Sequence, residues 1–328
     1  MNIKREALSN PKRRSEVLAA SDLTTYGAQK EVLRMVQAHL SARYPHRFRD
    51  ILSTNISSEV LGTEAVAGAE YSECAAMPPL EAAARLAQED FVLMRRSAAS
   101  PLGRGATGVV ADDETYRSVA AVVVFSFGEV PRRVGQQFDL RELHAKVGSY
   151  EADLGRPVHR FMAGLATDRP AWRSNWSFVY TGLLTPSPDR YMTNLAKRRR
   201  VFPDAPEDPL WDGPSGAVRR MDRHGVGAAV WCKVEYQTLR RLAPPHDDYI
   251  LFTVRTHIEP MSAFEGLPTA SRCLADNVRR ATRKEFRHYK GLSDSRIVDR
   301  ILAFLESHSR DTPGPEEALG APAARDGA

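Results

Sequence analysis

Several stretches of this sequence carry side chains whose types and spacing could do chemistry. His144 stands in LHAKVGSYEADLGRPVHRF, beside a break at Gly148 and Ser149. An imidazole there is either a ligand to an iron centre or a half-buried histidine settled against a helix dipole. Trp172 and Trp176, in AWRSNWSF, are four residues apart and fall on one face of a strand, while Asn175 falls on the other. Two such rings stack on a flat cofactor, hold an alkylammonium by cation–π contact, or simply fill core. Glu235, in VEYQTLRRL, is the kind of carboxylate that holds a cationic amine or relays a proton; its alternative is a salt bridge to Arg240 or Arg241. Arg255 and His257, in FTVRTHIEP, share a strand face. A guanidinium forks onto carboxylates, and His257 is a second candidate for a pocket or ligand role. Cys232 is either a thiolate ligand or a small buried hydrophobe, and no cysteine-ligand loop surrounds it.

The elements that must position these groups follow from the pattern of apolar residues. SVAAVVVF, from Ser118 to Phe125, is a continuous β-branched and apolar run, predicted to be a strand buried on both faces. Phe138, Leu140, Leu143, Leu154, Val158 and Phe161 then recur at helical spacing, giving a crossover with His144 at its bend. Strand character returns at RPAWRSNWSFV. It returns again in WCKVEYQTLRRL and YILFTVRTHIEP, a hairpin with a loop of about six residues. Upstream, helices are predicted from Thr25 to Ser41 and from Leu80 to Ala87 behind Pro78 and Pro79, the second leading to strand FVLM. Downstream, helices are predicted from Ala270 to His288 and Ser295 to Ser307.

GRGATG, from Gly103 to Gly108, is a literal GxGxxG, but the following VVADDETYRSVAAVVVF reads as a turn feeding strands. A hairpin loop fits it better than a dinucleotide site. The basic clusters Lys12–Arg14 and Lys197–Arg200 supply much of the net charge of +5. They lack interleaved aromatics, so nucleic acid is not the expected partner. Three dispersed cysteines suit a reducing compartment. Neither an apolar leader core nor a membrane-length apolar stretch is visible, and the expected location is cytoplasmic.

The pieces QEDFVLMRR, LHAKVGSYEADLGRPVHRF, RPAWRSNWSFV, VEYQTLRRL and FTVRTHIEPM occur in an order that resembles the haem-dependent oxidative N-demethylases. These are the haem-binding alpha subunits of dimethylamine (secondary amine) monooxygenase and their relatives. The resemblance runs over roughly Leu80 to Gly291, and it is the agreement of several separated motifs that carries it. It implies a PAS-like haem pocket, dioxygen activation and oxidative N-dealkylation of a secondary or tertiary amine with release of an aldehyde. The family's motif histidine falls on His144. Lys146 and Gly148 stand where the family has prolines, Ser149 where it has glycine, His159 where many relatives have an acid, and Tyr236 where arginine is usual.

The sequence thus predicts an α+β protein with a PAS-like antiparallel sheet. Residues 1–25 form a flexible basic arm, 26–310 a single haem-binding domain with a long loop over 185–230, and 311–328 a disordered tail. The resemblance implies haem b with His144 as axial ligand; Arg255, Trp172 and His257 are the candidates to line the cofactor, although relatives often carry tyrosine at position 257. It implies Glu235 and Trp176 as catalytic residues. Electrons would come from NAD(P)H through a separate flavin or iron–sulfur reductase. The alternative function is a non-catalytic haem sensor or carrier, and a haem-free structural relative is a further one.

Overall fold

The computed structural model describes residues 2–20, 23–46, 48, 77–98, 114–125, 130–135, 139–144, 150, 154–180 and 214–309. The glycine motif at 103–108 and the tail beyond 311 lie outside them. The fold is α+β, and the chain divides into two compact units where the sequence suggested one domain. The first is Met1–Ser177, Leu183–Ala205 and Lys233–Ile258; the second is Phe178–Gly182, Pro206–Cys232 and Glu259–Ala328.

The first unit holds all but the ends 178–179, 231–232 and 259–260 of an open antiparallel sheet of six strands: β1 (Leu18–Ala20), β2 (Asp90–Ala98), β3 (Glu114–Val122), β4 (Ala171–Val179), β5 (Trp231–Arg241) and β6 (Tyr249–Pro260), in the order β1-β3-β2-β6-β5-β4. Phe91 lies opposite Val122 on one side and Thr253 on the other, so β2 is a central strand. Its residues 91–94 are buried on both faces, which is why FVLM is apolar without alternation. Asp90 ends that run. Its carboxylate accepts the backbone N–H groups of Val124 and Phe125, each at 2.8 Å, and fixes the turn out of β3.

One face of the sheet is covered by the helices Tyr26–Arg43 and Pro79–Leu86, which bury Ala28, Val32, Leu80 and Ala83 against Phe91, Leu93 and Leu251. The other face is covered by the crossover segments Val130–Arg133, Leu140–Leu143 and Gly155–Ala163. Val130, Leu140, Tyr150, Met162 and Leu165 pack there on Val92, Met94, Tyr116 and Ile250.

Residues 2–17, expected to be a flexible arm, are the helices Asn2–Ser9 and Pro11–Val17, and β1 follows them directly. The reason is burial that net charge hides. Leu8 joins the core, and the Lys4 ammonium reaches the carbonyls of Ala87 and Glu89. Arg14 lies 2.6 Å from Glu81, a fully buried carboxylate that Arg85 also meets at 2.9 Å.

In the second unit, Pro214–His224 and Val226–Ala229 are helices, a correction to the long loop expected over 185–230; the part before 214 lies outside the described residues. The helix expected from Ala270 to His288 is two, Pro268–Arg280 and Lys284–Lys290, and Ser295–Ser307 follows. Leu274, Val278, Ile297, Ile301 and Leu305 are buried there. Among the described residues no helix is long and apolar enough to cross a membrane.

Candidate functional site

His144 is the residue just after the helix Leu140–Leu143, whose start is fixed by a capping box between Asp139 and Glu142. With the helix locked at that end, the histidine Nδ1 falls 2.7 Å from the Leu140 carbonyl oxygen. The ring stacks on Tyr150 with centroids 4.4 Å apart and planes 5° from parallel. Burial lowers the imidazole pKa, the bond to Leu140 opposes that, and the Arg173 guanidinium lowers it further. The ring is therefore neutral at neutral pH. Nδ1 is the donor to a carbonyl, so the lone pair sits on Nε2. Burial likewise pushes the Tyr150 phenol up to about 12.

Side-chain alternation along β4, β5 and β6 decides what else shares this face. Ala171 and Leu239 pack into the crossover core, so Arg173 and Asn175 on β4, and Lys233, Glu235, Gln237 and Arg241 on β5, project to the side of His144. They form a connected polar row. Lys233 Nζ is 2.7 Å from Glu235 Oε1. Gln237 Nε2 donates to Glu235 Oε2 at 3.0 Å, Asn175 Nδ2 reaches the same oxygen at 3.5 Å, and Arg173 Nε donates to Gln237 Oε1 at 2.7 Å. Arg241 closes the row in a structural role, donating to the carbonyls of Met162 and Leu165, each at 2.6 Å, at the end of the helix Gly155–Ala163. Among the described residues Glu235 thus pairs with Lys233 rather than with Arg240 or Arg241.

The remaining sequence candidates lie on the opposite face. Trp172 stacks on Tyr236 at 5.3 Å and is 66% exposed. Trp176 shares its side of β4 by alternation and is half-buried. Arg255 pairs with Glu89 at 3.2 Å, and exposed His257 lies two residues further along the same side of β6. The structure therefore brings His144 and Glu235 to one face, and leaves Trp172, Trp176, Arg255 and His257 behind the sheet. Cys232, in the second unit, is a buried thiol whose pKa burial pushes up to about 12 against the opposing charge of Lys290. His159 is half-buried with its ring tilted against Tyr116.

Lys233, Gln237 and Arg173 were not among the residues singled out from the sequence. The signal was present in KVEYQTLRR, where the period of two sets Lys233, Glu235, Gln237 and Arg241 on one side.

The chain is thus an α+β protein whose open antiparallel sheet carries, on its crossover face, a half-buried neutral histidine and a row of hydrogen-bonded polar side chains. The family profile described as haem-dependent oxidative N-demethylase, alpha subunit-like, matches residues 1–298, and the chain belongs to that family. No curated protein matches the chain.

Proposed function

We propose that this chain is the haem-binding subunit of an oxygenase that removes an N-alkyl group from a secondary or tertiary amine as an aldehyde, with His144 Nε2 as the atom that would hold the haem iron. The observation that carries the reading is the 2.7 Å bond from Nδ1 to the Leu140 carbonyl, because ligating histidines characteristically donate their other N–H to such an acceptor. Burial keeps the ring neutral and Tyr150 fixes its plane, so the residues present fit haem. Bound there, haem supplies reductive activation of dioxygen for oxidation of the carbon next to the amine nitrogen.

Arg173, an exposed guanidinium whose charge acts on His144, is suited to a propionate in place of Arg255, which Glu89 engages behind the sheet. Glu235 would orient the amine or hold its proton, a role supported by the hydrogen bonds from Gln237 and Asn175 that fix its carboxylate. Strand order supports a PAS-like sheet. Setting β1 aside, the first and last of the other five strands, β2 and β6, lie side by side at the centre, and a helical crossover joins β3 to β4. Electrons would come from NAD(P)H through a separate flavin or iron–sulfur reductase, as suits a family named for an alpha subunit. The chain would work in the cytoplasm.

The test is to supply haem-reconstituted protein with dioxygen, a chemical reductant and a panel of N-methylated amines, and to assay formaldehyde. Amine-dependent aldehyde release is expected. Tight haem binding with no release for any amine would replace the enzyme by a haem sensor or carrier.

A further inference from the structure

Lys233 is only 7% exposed and touches one acceptor, Glu235 Oε1; an ammonium has three donors, and no other acceptor meets it among the described residues. A second polar group is left over beside it. The hydrogen bond from Leu242 N to Tyr249 O and the 2.5 Å contact between the Thr238 and Thr253 hydroxyls set the register of β5 and β6. Continued along the hairpin, that register places Thr256 opposite Glu235, on the face of His144. The Thr256 hydroxyl is buried there with no hydrogen-bond partner among the described residues.

Leaving buried donors unmet costs stability, and such groups are usually completed by a ligand or by water. The ammonium can only donate and carries full positive charge, and the Thr256 hydroxyl is able to donate beside it. They ask for an anionic acceptor, and a simple dialkylamine has none. Glu235, the neighbouring opposite charge on the same strand face, matches the ammonium of a molecule carrying both charges.

We propose that Lys233 and Thr256 receive the carboxylate of the substrate, and that the amine this protein demethylates is an N-methylated amino acid, its ammonium directed to Glu235. The inference rests on the proposed amine oxidation and sharpens it. Lys233 becomes the residue that sets specificity, since the carboxylate replaces water on its free donors and hydrogen bonds to charged groups are worth more than neutral ones.

The test compares N,N-dimethylglycine with N,N-dimethylethylamine, which has a methyl group where the other has a carboxylate. Calorimetric titration of the full chain, after haem reconstitution, reads binding without relying on turnover. The amino acid should bind about tenfold tighter or better. Lys233→Met should remove most of that preference while the haem absorption is unchanged, and Thr256→Val should reduce it in a second variant that keeps the Lys233–Glu235 pair intact. Equal binding of the two probes, or a preference unaffected by both substitutions, would overturn the proposal. Failure of haem uptake would strike the oxygenase reading instead, and the calorimetric comparison would still decide this one.

Discussion

At the scale of single residues, burying Lys233 beside Glu235 is the arrangement most exposed to mutation. Two charges out of water need one another, and removing one strands the other at a cost of roughly 3–5 kcal/mol. Glu235→Gln should therefore lower unfolding stability by an amount of that order and depress amine turnover while sparing haem binding. Lys233→Met combined with Glu235→Gln should recover most of the stability in denaturant titrations. A double variant no more stable than the single one would show that the pair is not coupled. Lys4 gives a pH dependence of definite sign. Burial lowers its pKa from 10.5 to about 8, with Asp90 and then Glu89 opposing. Below about 8 the ammonium is charged in both states and the cost of burying it is present in full. Between about 8 and 10.5 the unfolded chain binds the extra proton, so stability rises with pH in that window. The unfolding free energy of the wild type relative to Lys4→Met should thus improve on going from about pH 7 to about pH 9.5; a flat difference would show that Lys4 does not titrate there. Alternation made the polar face of β5 legible in the sequence. It could not say which cation Glu235 would choose, because Lys233 and Arg241 share that face and only packing assigns Arg241 to the helix carbonyls.

At the scale of elements, joints carry as much information as helices and strands. Gly291 ends the helix Lys284–Lys290 in the left-handed region, at φ +80°, and a Cβ there would stand 2.5 Å from the Phe178 carbonyl oxygen. Gly291→Ala meets both backbone strain and a backbone clash, and should cost about 1–3 kcal/mol, read as a lower unfolding midpoint. Gly27→Ala meets a side chain instead of backbone, the His246 imidazole at 2.7 Å, and should cost less. The reverse order would contradict the geometry. Strands and long helices were readable from periodicity. The N-terminal helices were not, since Lys4 and Arg14 look like solvent-facing charges until the Ala87 and Glu89 carbonyls and the Glu81 carboxylate are seen to receive them. The break at 281–283 was equally hidden, as ATR contains no proline or glycine to announce it.

At the scale of the whole molecule, the sheet sorts the motif residues by face. The motifs named the family, and period two grouped Trp172 with Trp176 and Arg255 with His257. Which face met the crossover depended on pairing across strands, and that placed those residues behind the sheet while His144 and Glu235 stayed together. The central claim is that His144 holds haem on the crossover side. It is tested most directly by the absorption spectrum of the reconstituted full-length protein, before and after dithionite and carbon monoxide, for wild type, His144→Ala and His257→Ala. A stoichiometric Soret band with a histidine-type reduced carbon monoxide complex is expected in the wild type. The same band is expected in His257→Ala, and haem lost or shifted in His144→Ala. An unchanged Soret band in His144→Ala would contradict that claim.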